Sequence, residues 1–261
     1  MRPKDMSERF KAPSLRGSAA PIPLSVEDPE YRYPVSRHPY YDKLAEFAGY
    51  AFTDNDTEKH PGHWREHFPL KSGPVDSPRT LHVEIGCNGG HVILEWAKKN
   101  PGADYIGLDW KFKQIHRGAE KAKQACLGNL VFLRAHAQRI RQVFGTGEID
   151  RLYLYFPDPW PKRAQHKNRY FQTENLRQLA EVVKVGGEFH IKTDHAGYFA
   201  WMQKICADVT DVWRVEEKIS DLHRGHPDPE ALQIPEVTLF ERIFIRQGIP
   251  IHSLRLRRIS A

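Results

Sequence analysis

Short apolar runs alternate with amphipathic segments along most of the chain. The runs predicted to be buried strands are Leu81–Ile85, Tyr105–Leu108, Leu130–Leu133, Leu152–Phe156 and Phe189–Ile191. Between them, apolar residues recur at helical spacing, as in the stripe of Phe112, Ile115 and Ala119. Strands and helices that alternate in this way predict an α/β fold: a mostly parallel sheet with helices on both faces and ligands outside the carboxyl ends of the strands.

The last part of the sequence departs from this alternation. Trp213–Val215 and Thr238–Ile245 are both strand-like, and only a Pro-rich loop lies between them. Because this loop contains no helical pattern, we expect the two segments to pair antiparallel at one edge of the sheet. Residues 251–261 contain several arginines and are interpreted as a basic C-terminal tail.

Composition divides the rest of the chain into three parts. Residues 1–39 are rich in Pro, Ser and charge, which predicts a mostly disordered arm. Residues 40–79 contain apolar positions at helical spacing over Tyr40–Tyr50, followed by a Gly/Pro-rich stretch, and we expect a lead-in helix and a linker. Residues 80–250 then form the main domain.

Overall composition indicates a water-soluble globular protein. The 261 residues are 40% hydrophobic with a mean hydropathy of -0.62, and no apolar stretch approaches the ~20 residues of a spanning helix. The charged N-terminus lacks the apolar segment of a signal peptide, and the three cysteines are far apart, so we expect a cytoplasmic protein without a disulfide framework. A formal net charge of +6 favours polyanionic partners without identifying one.

A glycine-rich turn follows the Leu81–Ile85 strand and contains Glu84, Gly86 and Asn88. Glycines allow close approach of the backbone to a ligand, and an acid about 20 residues further on, here Asp109, can bind ribose hydroxyls. Glu84 would repel a pyrophosphate but attract a cation, which favours S-adenosylmethionine over a dinucleotide. The alternative is a turn whose glycines serve only strand-to-helix packing.

A second motif, Phe156-Pro-Asp158-Pro-Trp160-Pro-Lys162, stands at the end of the fourth predicted strand, Leu152–Phe156, and cations continue to Arg169. Prolines on both sides of Asp158 fix a carboxylate at the carboxyl edge of the sheet, while Trp160 can stack and the cations can meet phosphates. The alternative is a rigid turn with a solvated basic loop.

Together, these motifs resemble the tRNA (guanine-N7)-methyltransferase family over roughly Trp64 to Arg246. The residues that carry the resemblance are Glu84, Gly86, Asp109, His136-Ala137, Asp158, Lys162, His166-Lys167, Thr193-Asp194 and Thr238 to Glu241. The resemblance implies a Rossmann-like class I methyltransferase that uses S-adenosylmethionine and methylates a guanine of tRNA in the variable loop.

The resemblance also implies the roles of individual residues. Asp158 is expected to be catalytic. The cofactor would contact Glu84, Gly86, Asp109, His136 and Ala137, and the tRNA would contact Lys162, His166, Lys167, Asp194, Thr238 and Glu241. No metal is implied.

Two positions depart from the family pattern. Asn88 replaces the central glycine of the turn, and Asn adopts left-handed backbone more readily than most residues. His136 replaces an aspartate that would accept a hydrogen bond from the adenine amino group. Because only a neutral ring can accept, we expect cofactor binding to weaken as the pH falls through ~6.5.

Two other functions compete with methyl transfer. The alternative is a tRNA-binding relative with weak or lost methyl transfer. A nicotinamide-dependent dehydrogenase is disfavoured by Glu84, which would repel the pyrophosphate of its cofactor.

Two histidine-containing segments have simpler interpretations than catalysis. His60, His63 and His67 have metal-like spacing, but the neighbouring Pro and Gly predict a loop and not a zinc site. His195 follows Asp194 and is predicted to begin the next helix.

Overall fold

The computed structural model describes residues 24–69, 79–224 and 237–260. Its strands are β1 (Ala51–Thr53), β2 (Leu81–Ile85), β3 (Asp104–Asp109), β4 (Leu130–Arg134), β5 (Ile149–Tyr155), β6 (Val183–Thr193), β7 (Trp213–Ile219) and β8 (His252–Arg258). Its α-helices are α1 (His91–Lys99), α2 (Phe112–Gln124), α3 (Ile140–Val143), α4 (Thr173–Val182), α5 (Ala196–Ala207) and α6 (Leu239–Arg246). Short 3-10 helices cover Asp42–Phe47, Asp54–Glu58, Trp64–Glu66, Ala137–Arg139 and Arg163–Asn168.

The strands form one sheet in the order β1-β4-β3-β2-β5-β6-β8-β7. Every pair from β1 to β6 is parallel, whereas β8 is antiparallel to both β6 and β7. The predicted fold class, a mostly parallel sheet with an antiparallel edge, is therefore confirmed. The direction of winding reverses between β2 and β5, and such a reversal opens a crevice at the carboxyl ends of the two strands.

Helices cover both faces of the sheet because the central strands are apolar on both sides. Leu81 and Val83 of β2 pack with Leu176 of α4 on one face. On the other face, Phe132 of β4 packs with Ile115 of α2. This double burial explains the continuous apolar run Leu130–Leu133 of β4.

The prediction of a strand at Thr238–Ile245 is wrong, because residues 239–246 form α6. Thr238 Oγ accepts a hydrogen bond from the Glu241 N–H (2.9 Å), and the Glu241 carboxylate accepts one from the Thr238 N–H (3.0 Å). These reciprocal bonds form a capping box, which satisfies two backbone donors at the helix start. The segment thus follows a local helix-start signal that its apolar pattern conceals.

The antiparallel partner of β7 is β8, which comes from the residues interpreted as a basic tail. Leu254 and Leu256 of β8 are buried, and the alternating Arg255 and Arg257 lie on the opposite face. Both arginines form ion pairs with Glu216 of β7, at 3.0 and 2.7 Å. These two arginines therefore hold the edge of the sheet together.

Part of the segment expected to be a disordered arm is packed on the domain. Tyr33 is buried, and the fully buried Arg139 donates to the backbone carbonyls of Val26 (3.2 Å) and Asp28 (2.9 Å). The lead-in helix is a 3-10 helix, Asp42–Phe47. Residues 1–23 of the arm, and the predicted linker at 71–78, lie outside the described residues.

Among the described helices, none has the length and apolar character needed to cross a bilayer.

Candidate active site

The two sequence motifs meet at the crevice in the sheet. Residues 86–90 follow β2 and residues 156–162 follow β5, and these two strands are parallel neighbours. β3 flanks this pair on the other side of β2, and β6 flanks it on the other side of β5. The loops after four adjacent strands therefore converge at one edge, as the alternating pattern predicts.

The turn after β2 has backbone that favours glycine. Gly86 and Gly90 have φ values of 74° and 71°, and Asn88 has a φ of 51°. Asn88 therefore adopts the left-handed conformation expected of it. A Cβ atom at Gly90 would lie 2.6 Å from the Phe132 ring, so this glycine also serves strand-to-helix packing.

Asp109 holds the turn in place from the end of β3. One carboxylate oxygen accepts a hydrogen bond from the Asn88 N–H (2.9 Å), and the other accepts one from the Lys111 N–H (2.8 Å). The carboxylate thus lies against the turn, at the position where the sequence predicts a ribose-binding acid.

Glu84 is a buried carboxyl group with an unsatisfied oxygen. Its side chain lies at the end of β2, it is 5% exposed, and its Oε2 has no hydrogen-bond partner among the described residues. Burial, and secondarily the charge of Asp109, raises the pKa of Glu84 to about 8. A buried acid with an unsatisfied oxygen fits a ligand that brings a positive charge and hydrogen-bond donors, as S-adenosylmethionine does.

The replacement Glu84→Gln is expected to flatten the pH dependence of stability. The carboxyl titrates near 4.5 in the unfolded chain and near 8 in the folded protein, so the folded protein keeps a proton that the unfolded chain releases. Between these pH values, the free energy of unfolding of the wild type therefore falls by about 1.4 kcal/mol per pH unit relative to the variant. Urea unfolding of both unliganded proteins at about pH 5 and about pH 7.5 measures the difference.

Glu95→Gln is the matched control, because Glu95 is 43% exposed on α1 and forms an ion pair with Lys98 in the same helix. Its pH profile should run parallel to that of the wild type. A parallel profile for Glu84→Gln as well would contradict the raised pKa of Glu84.

His136 begins the 3-10 helix after β4 and stacks on Trp110. The two ring centroids are 3.4 Å apart at 24°, and the Arg134 guanidinium carbon lies 3.4 Å from the Trp110 centroid. Burial, assisted by Arg134 and Arg139, lowers the pKa of His136 to about 4. The expected weakening of cofactor binding near pH 6.5 is therefore displaced to about pH 4, and at neutral pH the ring can accept a hydrogen bond. The adjacent Ala137 carbonyl accepts from the Tyr170 hydroxyl (3.1 Å).

Asp158 is exposed in a loop with strained backbone. Phe156 and Trp160 on either side have positive φ values of 52° and 42°. The Phe156 N–H donates to the Lys192 carbonyl of β6 (2.8 Å), so the loop departs from β5 still attached to the neighbouring strand. Strain of this kind persists only where surrounding contacts hold it.

Arg169 supplies such contacts from the far end of the loop. It is 4% exposed, and its Nε donates to the Pro159 carbonyl (2.8 Å). Its guanidinium carbon lies 4.9 Å from the Tyr198 ring and 5.1 Å from the Trp201 ring, both on α5. The buried cation therefore fixes the loop that carries Asp158 to the helix after β6.

The three substrate candidates of this loop occupy different environments. Lys162 and Lys167 are exposed at the two ends of the 3-10 helix Arg163–Asn168. His166 is half-buried, with its ring 5.5 Å from that of Trp201. The two lysines are thus placed to meet phosphates, whereas His166 packs against α5.

Asp194 follows β6 and is half-buried beside the loop after β5. The next residue, His195, is the N-cap of α5 and its Nδ1 accepts a hydrogen bond from the Tyr198 N–H (3.1 Å). The prediction that His195 begins a helix is confirmed. Asp194 therefore remains the candidate substrate-binding acid at the carboxyl end of β6.

Glu241 lies inside the protein and is fully engaged by other groups of the chain. It is 0% exposed, and its Oε1 accepts from Lys192 Nζ (2.9 Å) and His223 Nε2 (3.1 Å). Its Oε2 accepts from the Thr238 backbone (3.0 Å). In this structure both predicted substrate residues of the motif, Thr238 and Glu241, fix α6. Sequence analysis did not identify Lys192, for which the sequence shows only a lysine directly after the predicted strand Phe189–Ile191.

The histidines with metal-like spacing pack among aromatic rings. The His60 ring lies 3.7 Å from that of His67, 5.7 Å from Phe52 and 5.3 Å from Trp64. These contacts place the segment against β1.

Comparisons with known proteins agree with the geometry. A methyltransferase family matches residues 78–254. A tRNA (guanine-N(7)-)-methyltransferase of Bdellovibrio bacteriovorus is 32% identical over 215 residues, which are 82% of this chain and 98% of that protein. An enzyme of the same name from Bacillus velezensis is 33% identical over 81% of this chain and 90% of its own length.

A solved structure supports the fold assignment. The 16S rRNA methyltransferase KamB aligns with a TM-score of 0.51 and 18% identity over 70% of this chain and 88% of that protein. The chain belongs to the tRNA (guanine-N7)-methyltransferase family, whose members are S-adenosylmethionine-dependent enzymes of the Rossmann-like methyltransferase fold.

Proposed function

We propose that this protein transfers the methyl group of S-adenosylmethionine to N7 of a guanine in the variable loop of tRNA. One juxtaposition carries the proposal: the rigid, exposed carboxylate of Asp158 lies in the loop after β5, next to the turn after β2 where the buried Glu84 has an unsatisfied oxygen. The cofactor would contact Glu84, Gly86, Asp109, His136 and Ala137. The reaction would take place in the cytoplasm, consistent with the free thiols of the three cysteines.

The chemistry needs little from the protein beyond positioning and charge. When bound, S-adenosylmethionine supplies an electrophilic methyl group on a sulfonium. Guanine N7 has an in-plane lone pair and no proton, so no base is needed to create the nucleophile. The purine becomes cationic as the methyl group arrives, and the carboxylate of Asp158 stabilises that developing charge.

Recognition of guanine falls to the acid of the neighbouring strand end. Guanine presents N1–H and an exocyclic amine as adjacent donors, and Asp194, half-buried after the neighbouring strand β6, would accept them. Adenine lacks this donor pair and would leave the carboxylate unpaired. Thr238 and Glu241 contribute by holding α6 in place.

The tRNA backbone would lie along the cations of the Asp158 loop. Lys162→Ala and Lys167→Ala are each expected to weaken tRNA binding and to reduce the slope of log affinity against log salt by roughly 0.7 to 0.9, because each removes one phosphate contact. Affinity measurements between about 50 and about 200 mM salt give the slope. Lys184→Ala is the control, since Lys184 is 65% exposed near the opposite end of β6. Unchanged slopes in both loop variants would place the RNA elsewhere.

A transfer assay tests the function directly. Purified protein is incubated with unmodified tRNA and S-adenosylmethionine carrying a tritiated methyl group, and the nucleosides are analysed for 7-methylguanosine. Incorporation at guanine N7 is the expected result. The stack of His136 on Trp110 motivates the second candidate, a tRNA-binding relative with little transfer, which would bind tRNA with no incorporation.

A further inference from the structure

Helix α6 exposes an apolar surface beside the proposed catalytic loop. Leu239, Phe240 and Ile243 are 52%, 50% and 47% exposed, although apolar side chains of this size are usually covered. We call these three residues the α6 face. Because they are clustered on one short helix, they form a patch of the kind that marks a binding surface.

The charges of α6 are distributed unevenly between its buried and exposed sides. Its only acid, Glu241, is completely buried, whereas Arg242 and Arg246 are exposed. The solvent side of the helix is therefore apolar, aromatic and cationic. Aromatic rings combined with arginines form the platforms on which proteins stack the bases of single-stranded RNA.

The α6 face is continuous with the loop that carries Asp158. The Phe156 ring lies 6.2 Å from that of Phe240 and 5.6 Å from that of Phe244. Phe156 is two residues from Asp158 in the sequence. An RNA strand that presents a base to Asp158 would therefore pass over or beside Phe240.

The helix is also held in a fixed position relative to that loop. Lys192 donates through Nζ to Glu241 of α6 (2.9 Å), and its backbone carbonyl accepts from the Phe156 N–H (2.8 Å). One residue of β6 thus positions both the loop and the helix. A rigid surface loses little conformational entropy when it binds.

We propose that the α6 face binds the unpaired tRNA bases next to the target guanine, by stacking on Phe240 with support from Arg242. The proposal rests on the proposed function, because it assumes a tRNA substrate. Charge complementarity favours RNA over the other occupants of an apolar surface, since the flanking arginines match phosphates. Stacking of the adjacent bases on Phe240 would hold them apart from the reacting nucleotide, so that N7 can face the methyl donor.

The test compares ring and non-ring residues at one position. Phe240→Ala is expected to weaken tRNA affinity about tenfold, Phe240→Leu to weaken it nearly as much, and Phe240→Trp to retain wild-type affinity. The KM for S-adenosylmethionine should be unchanged in all three. The slope of log affinity against log salt should be unchanged in Phe240→Ala and lower by roughly 0.7 in Arg242→Gln, which removes a charge instead of a ring.

Val185→Ala is the matched control, because Val185 is 50% exposed near the start of β6, away from the carboxyl ends of the strands. Wild-type tRNA affinity in Phe240→Ala, or in Phe240→Leu, would overturn the stacking assignment. A dimeric wild type that becomes monomeric in Phe240→Ala, measured by light scattering, would show a subunit interface instead. The binding assay does not depend on methyl transfer, so a wild type that binds tRNA without methylating it contradicts only the proposed function.

Discussion

Replacing Asp158 by asparagine is expected to lower the kcat for methyl transfer to tRNA by about a hundredfold while leaving tRNA affinity nearly unchanged. The variant keeps the shape of the side chain and removes its charge. Because the purine acquires a positive charge only as the methyl group is transferred, a negative charge at this position acts on the transition state and not on the bound substrate. Single-turnover methylation at saturating tRNA and cofactor measures the step.

Asp211→Asn is the control for this prediction. Asp211 is also an exposed aspartate, but it pairs with Arg177 (2.7 Å) beyond the end of α5, away from the crevice. Its kcat should equal that of the wild type. An equal loss of kcat and of tRNA affinity in Asp158→Asn would make Asp158 a binding residue without a special role in the transition state.

The largest effect on stability is expected from Lys192→Met. Lys192 and Glu241 are 3% and 0% exposed, and the variant leaves the Glu241 carboxylate buried with its ionic partner removed. Removal of one member of a buried ion pair costs about 3–5 kcal/mol of unfolding free energy. Equilibrium unfolding in urea of the unliganded protein measures the change.

A second substitution separates the lost pair from a simple packing effect. In Lys192→Met with Glu241→Gln, the buried charge is gone; the amide oxygen can accept from the Thr238 backbone N–H, and the amide nitrogen can donate to His223 Nε2 when that ring nitrogen carries no proton. We expect this double variant to recover at least half of the lost stability. Lys184→Met is the control on the same strand, since its exposed pair with Asp150 contributes about 0–1 kcal/mol. A double variant as unstable as Lys192→Met would contradict an ionic cause.

Much of the sheet could be predicted because its central strands are buried on both faces. Double burial favours apolar residues at successive positions, and Leu130–Leu133 of β4 and Leu152–Leu154 of β5 are such runs, whereas β2 alternates apolar residues with the buried His82 and Glu84. β1 was missed because its three residues are only half-buried and leave no apolar run. In β8, the Leu–Arg alternation is that of a strand with one polar face, but the same arginines are also typical of a basic tail, which is how residues 251–261 are interpreted from the sequence.

The site was predictable in its location and less so in its electrostatics. The rule that ligands bind at the carboxyl ends of parallel strands locates Glu84, Asp109, Asp158 and Asp194 from the order of the elements alone. The sequence does not show that Glu84 is buried enough to keep a proton near pH 8, or that Glu241 is enclosed by Lys192 and His223. Burial and pairing of this kind depend on residues distant in sequence.

The position of β8 between β6 and β7 also constrains when the sheet can be completed during synthesis. β7 precedes β8 in the chain, but its only described neighbour in the sheet is β8. Until the ribosome has released residues 252–258, β7 therefore has no strand to pair with, and the edge of β6 has unpaired backbone donors and acceptors. The nascent chain passes through a stage in which the strands of the crevice can already be paired while this edge is open to intermolecular pairing.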